Sequence, residues 1–325
     1  MVQDVQTLSI KGKQRVVPAI SIGSVAVVIK GRVLKVAQIH DEIWLDAGSI
    51  PDPLRIIDEL RSMQNPPDIF TFTQSVPDVT PKYDYHLEWD NFAVTHTASY
   101  EEWFERVISA EARKKIRKAA KKGVTTEIVP FNDELIRSIK EIYDEAPFRQ
   151  GKRFWHYGKD IETIREENGT YLDRSTFVGA FFEGKLIGFV KLVWKGSVGS
   201  TMQVISRTEH FDKAPNNALL AKAVLICSTR SMEYLTYGEY SHRNDISSLT
   251  DFKRVNGFGR MELPRYYVPL TNMGSLALRL SLHKNIRERF PDWILALARD
   301  FRERWYKGIL FGRDDKWKKK AMPRS

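Results

Sequence analysis

The order of elements written into residues 176–270 limits the fold of this chain more than any single residue does. TFVGAFFEGKLIGFVKLVW (176–194) reads as two apolar strands joined at Glu183-Gly184-Lys185, with glycine where a tight hairpin turn demands it. A third apolar run follows from Ser200 to Ile205. Asn216 to Tyr234 then carries Leu219, Leu220, Ala223, Val224 and Cys227 at helical spacing, so one face of a helix is buried. LTYGEYS (235–241) reads as a strand, and Ser248-x-x-Asp251 opens a short helix with Leu249, Phe252 and Val255 on one side and Gly257 as its stop. RMELPRYYVPL (260–270) closes as a last strand. Three antiparallel strands, helix, strand, helix, strand is a rare order.

The first 95 residues carry a similar alternation. Residues 1–20 are polar and give no firm element, but VAVVIKGRVLKVAQIHDEIWLDAG (25–48) reads as a hairpin turning at Lys30-Gly31-Arg32. Pro51 to Met63 is amphipathic through Leu54, Ile57 and Leu60, and Asn65-Pro66-Pro67 stops it. DIFTFTQ (68–74) is a strand and Tyr83 to Thr95 an aromatic-rich extended segment. The pattern suggests a degenerate copy of the later half, although no sequence repeat proves it. Ser99-Tyr100-Glu101-Glu102 is a capping box. It leads to a helix on which Arg113, Lys114, Lys115, Arg117, Lys118, Lys121 and Lys122 fall before Gly123. These cations read either as a solvated face suited to a helix C-terminus or as a phosphate-facing surface.

VTTEIVP (124–130) is a strand, and Asn132 or Asp133 caps a helix bearing Leu135, Ile136, Ile139 and Ile142. APFRQGKRFWHYGKD (146–160) sets Phe148, Arg149, Lys152, Arg153, Phe154, Trp155, His156 and Tyr157 in a loop. Aromatics with cations in a loop suit stacking on a ligand or an anionic group, and ordinary packing is the alternative. Asp160 to Asn168 returns to helix.

Composition narrows the class. A chain of 325 residues has room for two domains. The single cysteine, Cys227, excludes a disulfide framework and a cysteine-rich zinc site, reads as a small core residue, and makes a reducing compartment the simpler expectation. No apolar core of a signal peptide opens the sequence, and no run reaches the ~18 apolar residues of a spanning helix. A cytoplasmic protein is expected. The net charge of +10 is concentrated at the end: residues 274–325 hold 14 Lys and Arg against 6 Asp and Glu, leaving +2 for the rest. Two amphipathic helices are expected beyond 270, the second beginning at Asp292, before a final FGRDDKWKKKAMPRS. That ending reads as a solvated tail or as a contact with an anionic membrane surface or RNA.

From residue 124 the order is strand, helix, loop, helix, three antiparallel strands, helix, strand, helix, strand, and over 124–270 it resembles the GNAT acyltransferase fold. The basic helix RKKIRKAAKKGV (113–124), the segment APNNALL (214–220) and the ending DFKRVNGFG (251–259) resemble the FemAB-like proteins, the peptidoglycan-bridge aminoacyltransferases and their relatives. That resemblance implies an α/β (α+β) fold of two tandem GNAT-like domains with mixed, largely antiparallel sheets. The division would be a degenerate domain over 1–123, an acyltransferase domain over 124–273 and a basic helical extension over 274–325. The sequence departs from acetyl-CoA-dependent GNAT enzymes in one respect. Their Arg/Gln-x-x-Gly-x-Gly/Ala loop for pyrophosphate is replaced by SRTEHFDKAPNNALL (206–220), which has no glycine. The helix start at Pro215-Asn216-Asn217 still offers an anion free N–H groups, and Asn216 and Asn217 are the donor-binding candidates there.

Chemistry on this fold needs a base for the attacking amine and donors for the oxyanion. Backbone N–H groups of a splayed strand around Met202 to Val204, including Gln203 and Val204, are the expected oxyanion and donor contacts. Glu239, His242 and His156 are the base candidates. Glu239 pairs with Arg243 or Lys253 in the duller reading, and His242 caps a turn. Arg149, Arg153, Trp155, Tyr157 and Arg243 are the substrate-binding candidates. The expectation is an acyltransferase of cell-envelope biogenesis that moves an acyl or aminoacyl group onto an amine of an anionic, lipid-linked or sugar-nucleotide precursor. Aminoacyl-tRNA or acyl-CoA is the donor. No metal, tightly bound cofactor or duplex DNA is expected, and tRNA and an inner membrane face are the further partners. An acetyl-CoA-dependent N-acetyltransferase acting on a nucleotide-linked amino sugar and a non-catalytic nucleic-acid-binding protein are the alternatives.

Overall fold

A computed structural model of the chain describes residues 4–10, 13–45, 50–149, 151–241 and 247–284. In chain order it runs β1 (Asp4–Ile10), β2 (Lys13–Ile22), β3 (Val25–Lys30), β4 (Val36–Ile39), α1 (Pro53–Arg61), β5 (Ile69–Thr73) and β6 (His86–His96). Next come α2 (Tyr100–Glu102), which continues as a π-helical turn, α3 (Ala110–Lys121), β7 (Thr125–Val129), α4 (Asp133–Tyr143), the short pair β8 (Phe148–Arg149) and β9 (Lys152–Arg153), and α5 (Ile161–Asn168). The chain then follows β10 (Ser175–Phe182), β11 (Lys185–Lys195), β12 (Val198–Ser206), α6 (Pro215–Thr229), β13 (Tyr234–Glu239), α7 (Ser248–Val255), β14 (Gly259–Pro269) and α8 (Asn272–Arg279).

Twelve of these strands form one sheet in the order β1-β2-β3-β4-β5-β14-β6-β13-β12-β11-β10-β7. Its centre is the antiparallel pair β14/β6, running from Gly259 opposite Val94 to Tyr267 opposite His86. Each side of that centre repeats the same scheme: antiparallel strands, one parallel pair bridged by a helix, then a closing antiparallel strand. The parallel pairs are β4/β5, with α1 crossing between them, and β12/β13, with α6. The closing strands are interchanged: β6 follows β5 in the chain yet pairs with β13, whereas β14 follows β13 and pairs with β5. The sheet is therefore a mixed, largely antiparallel double unit, as the order of elements implied. The initial twenty residues differ from the expectation. They hold the edge hairpin β1/β2, in register from Asp4 opposite Ala19 to Ile10 opposite Lys13. Backbone pairing at the sheet's end organises a stretch whose polar composition gave no apolar signal.

β11 is apolar almost throughout because both its faces are covered. Val190 and Leu192 meet Leu219, Leu220, Ala223, Val224 and Cys227 of α6, while Phe189 meets Leu135, Ile136, Ile139 and Ile142 of α4. Each fully buried Val, Leu, Ile or Phe among them contributes about 1.5–3 kcal/mol. α6 lies close: a Cβ at Gly199 would stand 2.7 Å from Cys227 Sγ. In the first half α1 buries Ile56, Ile57 and Leu60 against Val27, Ile39, Phe70 and Phe72. Local signals also set the helix starts. Ser99, Ser109, Asn132 and Asp160 each accept an N–H from the residue three positions on. For α7 the cap is Ser247, whose oxygen accepts from Thr250 N, one residue before the expected start.

Candidate functional site: a parted strand pair

β12 and β13 pair only from Val198 to Ser200 against Tyr234 to Thr236. Beyond that vertex β12 continues to Ser206 with β11 as its single strand neighbour. β13 is bent away by an irregularity between Thr236 and Glu239, where Gly238 takes φ +57°. Hydroxyl bonds pin the vertex: Thr236 Oγ1 to Ser200 Oγ at 2.8 Å and Thr201 Oγ1 to the Thr236 carbonyl at 3.2 Å. The backbone of Met202, Gln203 and Val204 thus lies on the stretch of β12 that has parted from β13. The corresponding parting of β4 from β5 is stopped up. Glu42, buried beyond β4, accepts Thr73 N at 2.6 Å and lies 3.5 Å from Arg265.

Lys253, on α7, reaches the β13 rim of this opening. It is 5% exposed, its Nζ donates to the Glu239 carbonyl, and it lies 5.1 Å from the Tyr237 ring. Burial lowers its pKa, against the opposing pull of Glu239. In the sequence Lys253 reads only as a pairing partner for Glu239. A lone lysine in a short amphipathic helix gives no sign of burial until α7 is folded against β13. Glu239 is exposed at the end of β13, close enough for its charge to act on Lys253. His242 and Arg243 lie outside the described residues.

The loop after β12 resolves the question of an anion cradle. Thr208 N and Glu209 N open a 3-10 turn and both donate to the carboxylate of Glu145, at 2.8 and 3.0 Å. Glu145 also pairs with Arg149 at 3.0 Å, and both side chains are nearly buried. Burial pushes the Glu145 pKa up, but the two N–H bonds and Arg149 outweigh it and hold the carboxyl below the usual range. The N-terminus of this 3-10 turn is thus filled by the protein's own acid, while α6 begins further on at Pro215. The start of α6 also departs from the expectation. Its cap is Ala214, at φ +54° with no side-chain bond, rather than an asparagine. Asn216 accepts from the Ser206 hydroxyl, and Asn217, 4% exposed, donates to Asn256 of α7 at 3.0 Å, so both amides join elements together.

On the opposite face of β12, Gln203 accepts from Tyr143 OH at 3.1 Å. His156 packs 4.2 Å from the Tyr143 ring and 3.6 Å from Trp155, and is 3% exposed. Burial first, then the charges of Lys159 and Arg149, lower its pKa to about 3. A histidine so weakly basic stays neutral near pH 7 and is a poor proton acceptor, which moves it from the expected base role to a packing role. Arg149 is likewise turned inward: its Nη atoms meet the Ser206 and Ile142 carbonyls at 2.8 and 2.6 Å, and its guanidinium covers Phe154. Arg153 is exposed, Trp155 and Tyr157 are 54% and 47% exposed, and these three keep the outward disposition that recognition requires. Lys159 Nζ stands 3.7 Å from the Trp155 ring and 2.6 Å from Glu167. Lys191, wholly buried beneath, caps the end of α5 by donating to the Asn168 carbonyl at 2.8 Å and to Thr170. Burial lowers its pKa to about 8.

A duplicated mixed sheet whose second half parts between a strand and its parallel neighbour, with a helix start beside the gap, is a double GNAT-type architecture. No protein-family model and no curated protein sequence matches the chain. Solved structures do. The C-terminal DUF2156 domain of a lysylphosphatidylglycerol synthetase from Agrobacterium fabrum superposes with a TM-score of 0.53 at 14% identity, over 81% of this chain and 87% of that one. FemX superposes with a TM-score of 0.50 at 12% identity, over 81% and 88%. At these identities the likeness establishes the shared fold.

Proposed function

We propose that the protein is an acyltransferase that moves an aminoacyl group from a charged tRNA onto an amine of an anionic cell-envelope precursor, with the reaction at the parting of β12 from β13. The observation that carries the reading is that parting: beyond Ser200, β12 with Gln203 and Val204 has left β13, and a buried cation, Lys253, holds the β13 side at Glu239. In acyl transfer the amine attacks the acyl carbon, its oxygen gains charge, and the ester oxygen of the donor leaves with a proton. Backbone N–H groups of β12 receive the oxyanion, Lys253 steadies the negative charge at the β13 rim, and Glu239 takes the proton of the amine, with His242 as the second candidate. Arg153, Trp155 and Tyr157 recognise the acceptor.

Glu145 favours a donor without pyrophosphate. For coenzyme A to use the N–H pair of Thr208 and Glu209, it would have to displace a paired carboxylate. On α3, Lys114, Lys118 and Lys121 are exposed with no ion-pair partner among the described residues, which suits the phosphates of a tRNA. The name given to the first neighbour, that of a lysylphosphatidylglycerol synthetase, agrees with an aminoacyl group and an anionic acceptor. No helix among the described residues is long and apolar enough to cross a membrane. Access to a lipid-linked acceptor at an inner membrane face therefore falls to surface contacts, the basic residues beyond 284 among them. The test compares acyl transfer from charged tRNA with transfer from acetyl-CoA. Turnover with the former and no saturable coenzyme A binding supports the proposal, and turnover with acetyl-CoA alone overturns it.

A further inference from the structure

We propose that His86, Glu88 and His283 form a binding site for a divalent transition-metal ion of the zinc class, which fastens the start of the C-terminal extension to the central strand β6. His86 and Glu88 are two residues apart on β6 and so point to the same side of the sheet. His283 arrives from the turn that follows α8. Glu88 Oε1 is 3.4 Å from His86 Nε2 and 2.8 Å from His283 Nε2, and the three ligand atoms lie within 4.8 Å of one another. Metal–ligand bonds of about 2.0–2.1 Å in a tetrahedral zinc site place neighbouring ligand atoms roughly 3.3 Å apart. An ion therefore enters with side-chain adjustments of an ångström or less. Two imidazoles and one carboxylate select zinc, cobalt, nickel or copper over magnesium and calcium, and leave a fourth position for water.

The surroundings are consistent with a closed inner side and an open outer one. The His283 side chain is 1% exposed, and its ring lies 4.7 Å from Tyr267 of β14. His86 is 42% exposed at the side chain, which gives an ion a way in. The competitor is Lys284, whose Nζ sits 3.0 Å from Glu88 Oε1. Its side chain is 37% exposed, so its ammonium can swing to water when a dication replaces it. Residues from 285 onward carry most of the charge of the basic extension, and a metal here anchors the chain directly before them. The site lies toward the β5 side of β6, whereas the parted strands neighbour its other end at Phe92 to His96, and its role is to anchor.

The experiment uses the untagged full chain, stripped with a chelator, and titrates Zn2+ by calorimetry and Co2+ by visible absorption. The expected result is one equivalent bound with a tetrahedral Co2+ spectrum that Zn2+ abolishes. His86→Ala, a change at an accessible position, weakens binding by at least about tenfold. Lys284→Ala tightens it severalfold, because the ion no longer displaces an ammonium from Glu88, and a merely structural histidine cluster would not show that gain. No stoichiometric binding, or binding that His86→Ala and Lys284→Ala leave unchanged, overturns the proposal.

Discussion

Removing the Glu145 carboxylate tests the reading of the anion cradle and the stability of the site together. Three groups converge on it: Thr208 N at 2.8 Å, Glu209 N at 3.0 Å and Arg149 Nη2 at 3.0 Å. In Glu145→Ala two N–H groups lose their acceptor and a guanidinium whose side chain is only 13% exposed loses its counter-charge. Breaking a buried pair costs about 3–5 kcal/mol. Arg149 keeps the Ser206 and Ile142 carbonyls, so the lower end, about 3 kcal/mol, is expected. Glu145→Gln retains one acceptor oxygen and should lose about 1–2 kcal/mol. Urea denaturation at equal m measures both, and the order of the two variants is part of the prediction. The pH dependence has a definite sign. Because the folded carboxyl titrates below its ordinary value of 4.5, its contribution is complete above that value and is lost as pH falls through the folded value. The wild type should therefore lose more stability than Glu145→Gln as pH falls below 4.5. With the cradle vacated, the Ala variant should also gain affinity for inorganic pyrophosphate. An Ala variant within about 1 kcal/mol of wild type, with pyrophosphate bound equally by both, would refute the reasoning.

Other substitutions probe the remaining features. Lys253→Met keeps the volume and removes the buried charge, so turnover should fall by about 10²–10³ while the urea midpoint holds or rises; full turnover would remove Lys253 from the reaction. Lys191 titrates near 8 when folded against 10.5 when free, so the unfolded chain binds more protons between those values and stability should rise with pH across that window. The rise should reach about 3 kcal/mol, and Lys191→Met should abolish it. His156, with its pKa lowered to about 3 from 6.5, follows the same sign in acid: stability falls as pH drops from 6.5 toward 3, and His156→Phe should flatten that limb in a melt series. Ala214 holds φ +54° at the start of α6, so Ala214→Gly should stabilise by about 0.5–1 kcal/mol, and a lower melting temperature would contradict the strain argument.

How far the residues spoke for themselves depended on whether a feature was periodic and local. β10, β11, β12, α6, β13, α7 and β14 were legible because apolar spacing and caps such as Gly257 and Asn132 act over a few residues. The hairpin β1/β2 was not, since its order comes from backbone pairing at a sheet edge. Among the candidate groups, Gln203 and Val204 were assigned to a splayed strand by the resemblance to the GNAT fold, and Trp155 and Tyr157 face outward in the aromatic loop. His156, Arg149 and Asn217 carry the same side chains as reactive or ligand-binding residues do, and only burial shows that they face inward.

What the sequence determined by itself was the succession of elements, a consequence of short-range preference, and the lack of glycine between Ser206 and Leu220; it suggested the duplicated scheme without a repeat to prove it. The tertiary structure decided which strands exchange across the centre, because β6 and β14 pair with residues more than a hundred positions away from their own neighbours. It also decided that Glu145 fills the cradle across 63 residues and that His283 meets Glu88 across 195. Such partners are selected by the shape of the folded sheet, and no local spacing in the chain encodes them.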